Sequence, residues 1–270
     1  MFLNGFFLAS LFYLKIDAAY ENGLFSSIKA NIDSQIDNND TPDSVAVKAM
    51  NVCYRLMNNK GSIFSNDNLG PRADLFHSVT IDLTTSRGAC GSYAQALARI
   101  LQTYHFPVRI AQMKVVGVYA GHNVVETMVR HHWVVLDPTF DLCFVRPDGA
   151  LASFADVQMN WSYYSRQVPA GYNPAYCYED VRYSNWSKIP VLLPALRSLL
   201  NLVIGPERTS KVCLRIIFMD TYSVYLYITL ALYVPLVLIT FKKLTVRSSS
   251  RSRSSPVLSS VIDSLINYAR

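Results

Sequence analysis

The sequence predicts an α+β domain, with a central helix set against an antiparallel meander, followed by one membrane-spanning helix. Three observations predict it. Apolar spacing is helical up to Pro107 and becomes strand-like and Val-rich beyond it. Residues 221–241, "TYSVYLYITLALYVPLVLITF", run 21 residues without a charge. Hydrophobic residues make up 51% of the 270-residue chain against 16% charged, a balance that points to a membrane segment.

Taken in order, residues 1–20 read as an imperfect export signal or short anchor. "MFLNGFFLASLFYL" is apolar, but the first basic residue is Lys15, and "DAAY" at 17–20 is a poor cleavage site. The alternative is a short buried helix. Residues 21–185 form the domain. Its "DSQIDNNDTPDS" is a loop ending in Thr41–Pro42, a helix start. Val45, Ala49, Val52, Cys53 and Leu56 follow at helical spacing and predict a helix over 43–58. "NNKGS" and "NDNLGPR" are turns. A second helix opens at Cys90, buries Ala94, Leu97, Ala98 and Leu101, and stops before Pro107. "VRIAQMKVVGVY", "HNVVETMV" and "WVVLDPTF" are three strands, separated by "AG" and "RHH".

Residues 186–220 are a juxtamembrane segment. Within it, "IPVLLPALRSLLNLVIG" (189–205) carries two prolines and a central Arg197, which favours an amphipathic segment lying on a membrane over one that crosses it. Residues 221–241 span about 30 Å as a helix, enough for a hydrocarbon core. Tyr222, Tyr225 and Tyr227 mark one interface, and Lys242 and Lys243 close the other. Pro235 is tolerated in such a helix. Residues 242–270 form a Ser/Arg-rich tail of the low complexity typical of disorder.

That tail holds six basic residues and one acid, Asp263, and so carries +5 of the formal net charge of +6. The high pI is therefore a property of the tail, and the domain has no nucleic-acid-binding face. Basic residues after the apolar run, Lys242 to Arg253, outnumber Arg208, Lys211 and Arg215 before it. By the positive-inside rule the tail is cytoplasmic and the domain extracytoplasmic, on a single-pass membrane protein.

Cys90 carries the chemistry. A helix N-terminus offers unpaired N–H groups and a partial positive charge, which favour thiolate over thiol. Gly88, Ala89 and Gly91 leave room for a substrate to approach, and their backbone amides are candidates for an oxyanion hole. A nucleophile also needs a base. His122, after Gly121 at the start of a strand, is the candidate base. Asp137, in "LDP" at the end of the next strand, is the candidate orienter. Whether the two meet depends on the hairpin loop between them. A loop of two or four residues puts them on one sheet face, and a regular three-residue loop puts them on opposite faces.

"RGACGSYAQALARIL…HFPVRI…GHNVVETMVRHHWVVLDPTF" resembles the transglutaminase-like, papain-like cysteine enzyme superfamily over about residues 85–140. The resemblance implies Cys90 as nucleophile, His122 as general base and acid, and Asp137 as orienter of the imidazole. The implied reaction is acyl transfer from peptide or amide bonds through a thioester, resolved by water (protease or amidase) or by an amine (transglutaminase). It implies a peptide or protein substrate and no cofactor or metal. No acidic loop suits a calcium switch. Two alternatives stand: an arylamine N-acetyltransferase-like enzyme, and a non-catalytic module that keeps the fold to bind partners.

Other residues have plainer readings. Cys90 as a small buried hydrophobe, and Asp137 as a turn residue ahead of Pro138, are the structural alternatives at the site itself. Arg109 is a salt-bridge partner or a substrate contact. His131 and His132 are solvated turn residues that lack further zinc ligands. Trp161, Tyr163 and Tyr164 line a cleft or pack the core, and packing is the favoured reading. Of five cysteines, Cys143 and Cys177 are the pair freest to bridge. "NWS" at 160 and 185 are glycosylation sequons in a eukaryotic secretory pathway.

Overall fold

A computed structural model describes residues 2–64, 78–85, 88–217 and 219–252, with side chains at the C-terminal end described through Lys243. The turn expected at "NDNLGPR" and the tail from residue 253 on lie outside the described residues. The fold is α+β with an antiparallel sheet. Two compact units divide the chain: Ala18–Thr221, and Met1–Asp17 together with Tyr222–Arg270.

The larger unit holds the core. Helix α1 (Phe2–Asp33) begins outside it, and its second half buries Phe25 and Ile32 inside it. The helix is far longer than the short anchor expected over the first 20 residues, and it extends the ordered domain into its polar opening. Helix α2 (Pro42–Ile63) starts as the sequence predicts. Thr41 is its N-cap and its side chain accepts from the Ser44 N–H, while Pro42 supplies a preset φ where no N–H is needed. It outlasts the expected end at residue 58 by more than a turn. Helix α3 (Val79–Leu83) is short. Helix α4 (Cys90–Thr103) buries Ala94, Leu97, Ala98 and Leu101, the stripe read from the sequence, and packs on α2 and on the sheet.

The sheet orders its strands β4–β3–β2–β1–β5, all antiparallel. Its members are β1 (Val108–Val115), β2 (Val118–Val129), β3 (His132–Asp137), β4 (Leu142–Cys143) and β5 (Val181–Arg182). The first hairpin turns at Val116–Gly117 and not at "AG", because Val115 pairs with Val118. Ala120 and Gly121 form a bulge inside β2: Met113 pairs with His122, and the next pair is Lys114 with Tyr119. After the sheet come α5 (Phe154–Met159), closed by a Ser153–Asp156 capping box, and α6 (Trp161–Tyr164). Phe144, Tyr164, Trp161 and Tyr178 pack edge-to-face and stacked around them, as expected of core aromatics. Helices α7 (Leu192–Ile204), α8 (Pro206–Ser210) and α9 (Leu214–Ile217) complete the unit.

Val116 adopts φ 48° in a two-residue turn with Gly117 at φ 81°. A β-branched residue is poorly suited to that left-handed conformation, which Asn tolerates. Val116→Asn, at a site 83% exposed, is expected to stabilise the unit by about 1 kcal/mol in denaturant unfolding.

In the second unit, helix α10 runs Thr221–Ser252, continuing through Pro235 and past the expected boundary at Phe241 into the Ser/Arg-rich segment. Phe7 of α1 stacks on its Tyr233, with ring centroids 5.8 Å apart. Two helices, against the one expected, are long and apolar enough to cross a membrane: Phe2–Asp33 and Thr221–Lys243.

Candidate active site

Cys90 is the first residue of α4, and its N-cap, Ala89, offers no capping side chain. The first N–H groups of the helix therefore stay available beside the thiol. His122 follows the bulge inside β2, four residues past the strand's start and not at its opening as expected, and is fully buried. Asp137 closes β3 and is also buried.

The hairpin between β2 and β3 settles the parity. Val129 pairs with His132 and Val125 with Leu136, so the loop is Arg130–His131 alone. Both residues are left-handed, φ 48° and 66°, the pattern of a type I′ turn. His122 and Asp137 consequently share a face, and the ring Nε2 lies 2.7 Å from the Asp137 carboxylate. Asp137 also accepts from the Thr139 N–H (3.1 Å) and from the Tyr172 hydroxyl (3.2 Å). It is thus both the turn residue and the ring's partner.

With Nε2 engaged, Nδ1 is the nitrogen left for the thiol. It is buried and makes no aligned hydrogen bond to any described residue. The thiol and the ring shift one another. Burial pushes the Cys90 thiol up, but the His122 ring beside it and the Asn123 N–H that donates to it outweigh burial and leave it below the ordinary thiol range. Burial alone would lower His122; the Asp137 hydrogen bond and the nearby Cys90 sulfur reverse that and raise it to about 9. Both shifts favour a thiolate–imidazolium pair near neutral pH. Tyr176 stacks on the imidazole at 4.2 Å and 9°, and Phe140 meets it edge-on at 5.9 Å. The two rings exclude water, and the π face of Tyr176 suits an imidazolium.

Sequence reasoning missed Asn123 and Arg215. The Asn123 side-chain N–H donates to Cys90 Sγ (3.3 Å), and its carbonyl oxygen accepts from Arg215 on α9 (3.3 Å). The guanidinium thus turns the amide so that its N–H faces sulfur. Asn123 adjoins His122 in the motif and was within reach of inspection. Arg215 lies 92 residues away and gave no local signal. Tyr172 and Tyr176, 35 and 39 residues from Asp137, likewise gave no local signal.

Gly121 has a steric role. A Cβ there would sit 2.6 Å from Val115 Cβ, an atom close to the backbone that cannot swing aside. Gly121→Ala is expected to cost about 1–3 kcal/mol and to displace His122, slowing alkylation of Cys90 along with the loss of stability.

The other candidates fall outside this cluster. Arg109 pairs with Glu126 through two hydrogen bonds (2.9 and 3.1 Å) and lies between Trp133 and Tyr183, 4.0 and 4.2 Å from their ring centroids. It is the salt-bridge partner. His131 is exposed, whereas His132 is half-buried with its Nε2 enclosed, which departs from the solvated pair expected. Cys143 and Cys177 are both free thiols, correcting the expected bridge: one sits on an edge strand, and the other, in a loop, contacts the Pro174 carbonyl. Among the described residues no three His, Cys, Asp or Glu side chains converge as metal ligands. No family model, curated protein or solved structure matches the chain.

Proposed function

We propose that the chain is a membrane-anchored cysteine enzyme of the transglutaminase-like kind, transferring acyl groups from peptide or amide bonds through Cys90, His122 and Asp137. The observation that carries this reading is the buried His122–Asp137 hydrogen bond of 2.7 Å, which leaves the second ring nitrogen for a thiol at a helix N-terminus.

Cys90 Sγ attacks the carbonyl carbon, and the helix-start amides donate to the developing oxyanion. His122 then gives its proton to the departing amine, and a thioester remains. Water or a second amine, deprotonated by the now neutral imidazole, attacks the thioester and releases Cys90. Asp137 holds the ring's orientation and stabilises its charged form. The Asn123 N–H steadies the thiolate.

The test is selective labelling. Iodoacetamide near neutral pH should modify Cys90 ahead of the other four cysteines, and p-nitrophenyl acetate should give a burst of nitrophenol with a mass adduct on Cys90. An unreactive Cys90 sinks the enzyme reading and leaves a binding module. Turnover of acetyl-coenzyme A with an arylamine would instead mark the acetyltransferase alternative.

We further propose that the catalytic unit is extracytoplasmic, since the basic residues that follow the second apolar helix favour the cytoplasm. Asn160, in an exposed sequon, serves as a reporter of this. Translation of the full chain with microsomes is expected to yield a glycosylated product that Asn160→Gln and endoglycosidase each reduce in mass. A protein unglycosylated at both sequons places the unit on the cytoplasmic side.

A further inference from the structure

A cleft of about 1180 Å³ opens on the catalytic unit, and neither Cys90, His122 nor Asp137 lines it. Its floor includes Arg109, Glu126 and Trp133. Glu126 lies four residues beyond His122 on the same strand face, about 13 Å along β2.

One wall is α7. Pro194, Arg197, Ser198 and Asn201 all line the cleft, and their i, i+3, i+4, i+7 spacing makes them one helix face. Arg182 adds a further cation, its Nε donating to Gln112 (3.0 Å), whereas Lys211, also in the lining, is already paired with Glu207 (2.7 Å). Glu126 is the single acid of the lining, and Arg109 already pairs with it. Arg182 and Arg197 have no ion-pair partner among the described residues. Their guanidinium groups suit a phosphate, and the adjoining Trp186, serine and asparagine side chains suit a sugar.

The opposite face of α7 is a separate observation. Leu192, Leu199 and Val203 fall there at i, i+7, i+11, and they are 62%, 58% and 70% exposed. Leu202, beside them, is 85% exposed. An apolar helix face left bare, backed by a polar face that carries one cation, Arg197, is the pattern of a helix lying in a membrane interface. The unit is bounded in the chain by two helices able to cross a bilayer.

We propose that α7 lies in the lipid interface and that the cleft takes the sugar-phosphate headgroup of an anionic membrane lipid. This is independent of the chemistry at Cys90. The full chain is reconstituted in nanodiscs of phosphatidylcholine alone, or with added phosphatidylglycerol or phosphatidylinositol, and retained lipid is read by native mass spectrometry. Phosphatidylinositol should be retained over the other two. Arg197→Gln should weaken its retention about fivefold, and Arg182→Gln should act in the same direction, with Cys90 alkylation and circular dichroism unchanged in both. Leu199→Ser with Val203→Ser should weaken lipid retention while leaving binding of soluble inositol phosphate as it was. Retention no better than that of phosphatidylcholine or phosphatidylglycerol overturns the proposal, as does indifference to Arg197→Gln. If the double serine variant retains phosphatidylinositol fully, the cleft is a soluble sugar-phosphate site and the lipid assignment fails.

Discussion

His122→Ala is expected to turn Cys90 into an ordinary thiol. With its pKa back near 8.5, the thiolate fraction at pH 6 is about one in three hundred, and alkylation by iodoacetamide at that pH should fall accordingly. In the intact protein the thiol is held down by His122 and Asn123, so alkylation persists into acid. The sign follows from the pair. Below the thiol's own pKa the sulfur is protonated and inert. Above about 9 the imidazolium loses its proton, and no acid remains for the leaving amine. Acyl transfer should therefore trace a bell whose alkaline limb falls near pH 9. A variant whose alkylation profile matches the parent's would separate the thiol from the ring and remove the base.

The second large effect is at Asp137. Asp137→Asn keeps the side chain's volume but removes the charge that stabilises the imidazolium, and about a 10⁴-fold loss of acyl transfer is expected from triad behaviour. Because Asp137 also accepts from Thr139 and Tyr172, a bare loss of activity would not separate positioning from folding. The pH profile does. His122 should fall from about 9 toward its ordinary 6.5, moving the alkaline limb to lower pH. The Cys90 thiol, losing its cationic neighbour, should rise and move the acid limb the other way. The bell narrows from both sides. Reduced activity with both limbs in place would make Asp137 a structural residue only.

Much of this could be read along the chain. The change of period at Pro107, the Thr41–Pro42 helix start, and the buried stripe of the Cys90 helix are local patterns, each fixed by neighbours within a turn or a pleat. Cys90, His122 and Asp137 stood out because each is beside a small or turn-forming residue: Cys90 and Asp137 at the ends of their elements, and His122 after the glycine of the β2 bulge. Less was legible at the termini. The first helix is too mixed, with Lys15 and Asp17 breaking its apolar run, for its full 32 residues to be apparent.

What linear inspection left open was whether the ring and carboxylate meet. That rests on a two-residue turn, Arg130–His131, whose left-handed backbone neither side chain advertises. The twist of the paired strands imposes it, and pairing is a property of the sheet. The same holds for Arg215 and Asn123, and for Tyr176 over the imidazole: these contacts join segments tens of residues apart. Residue order sets which side chains are available and the local period they follow. Their convergence on one sulfur depends on register and packing, which arise only when distant segments are buried against each other.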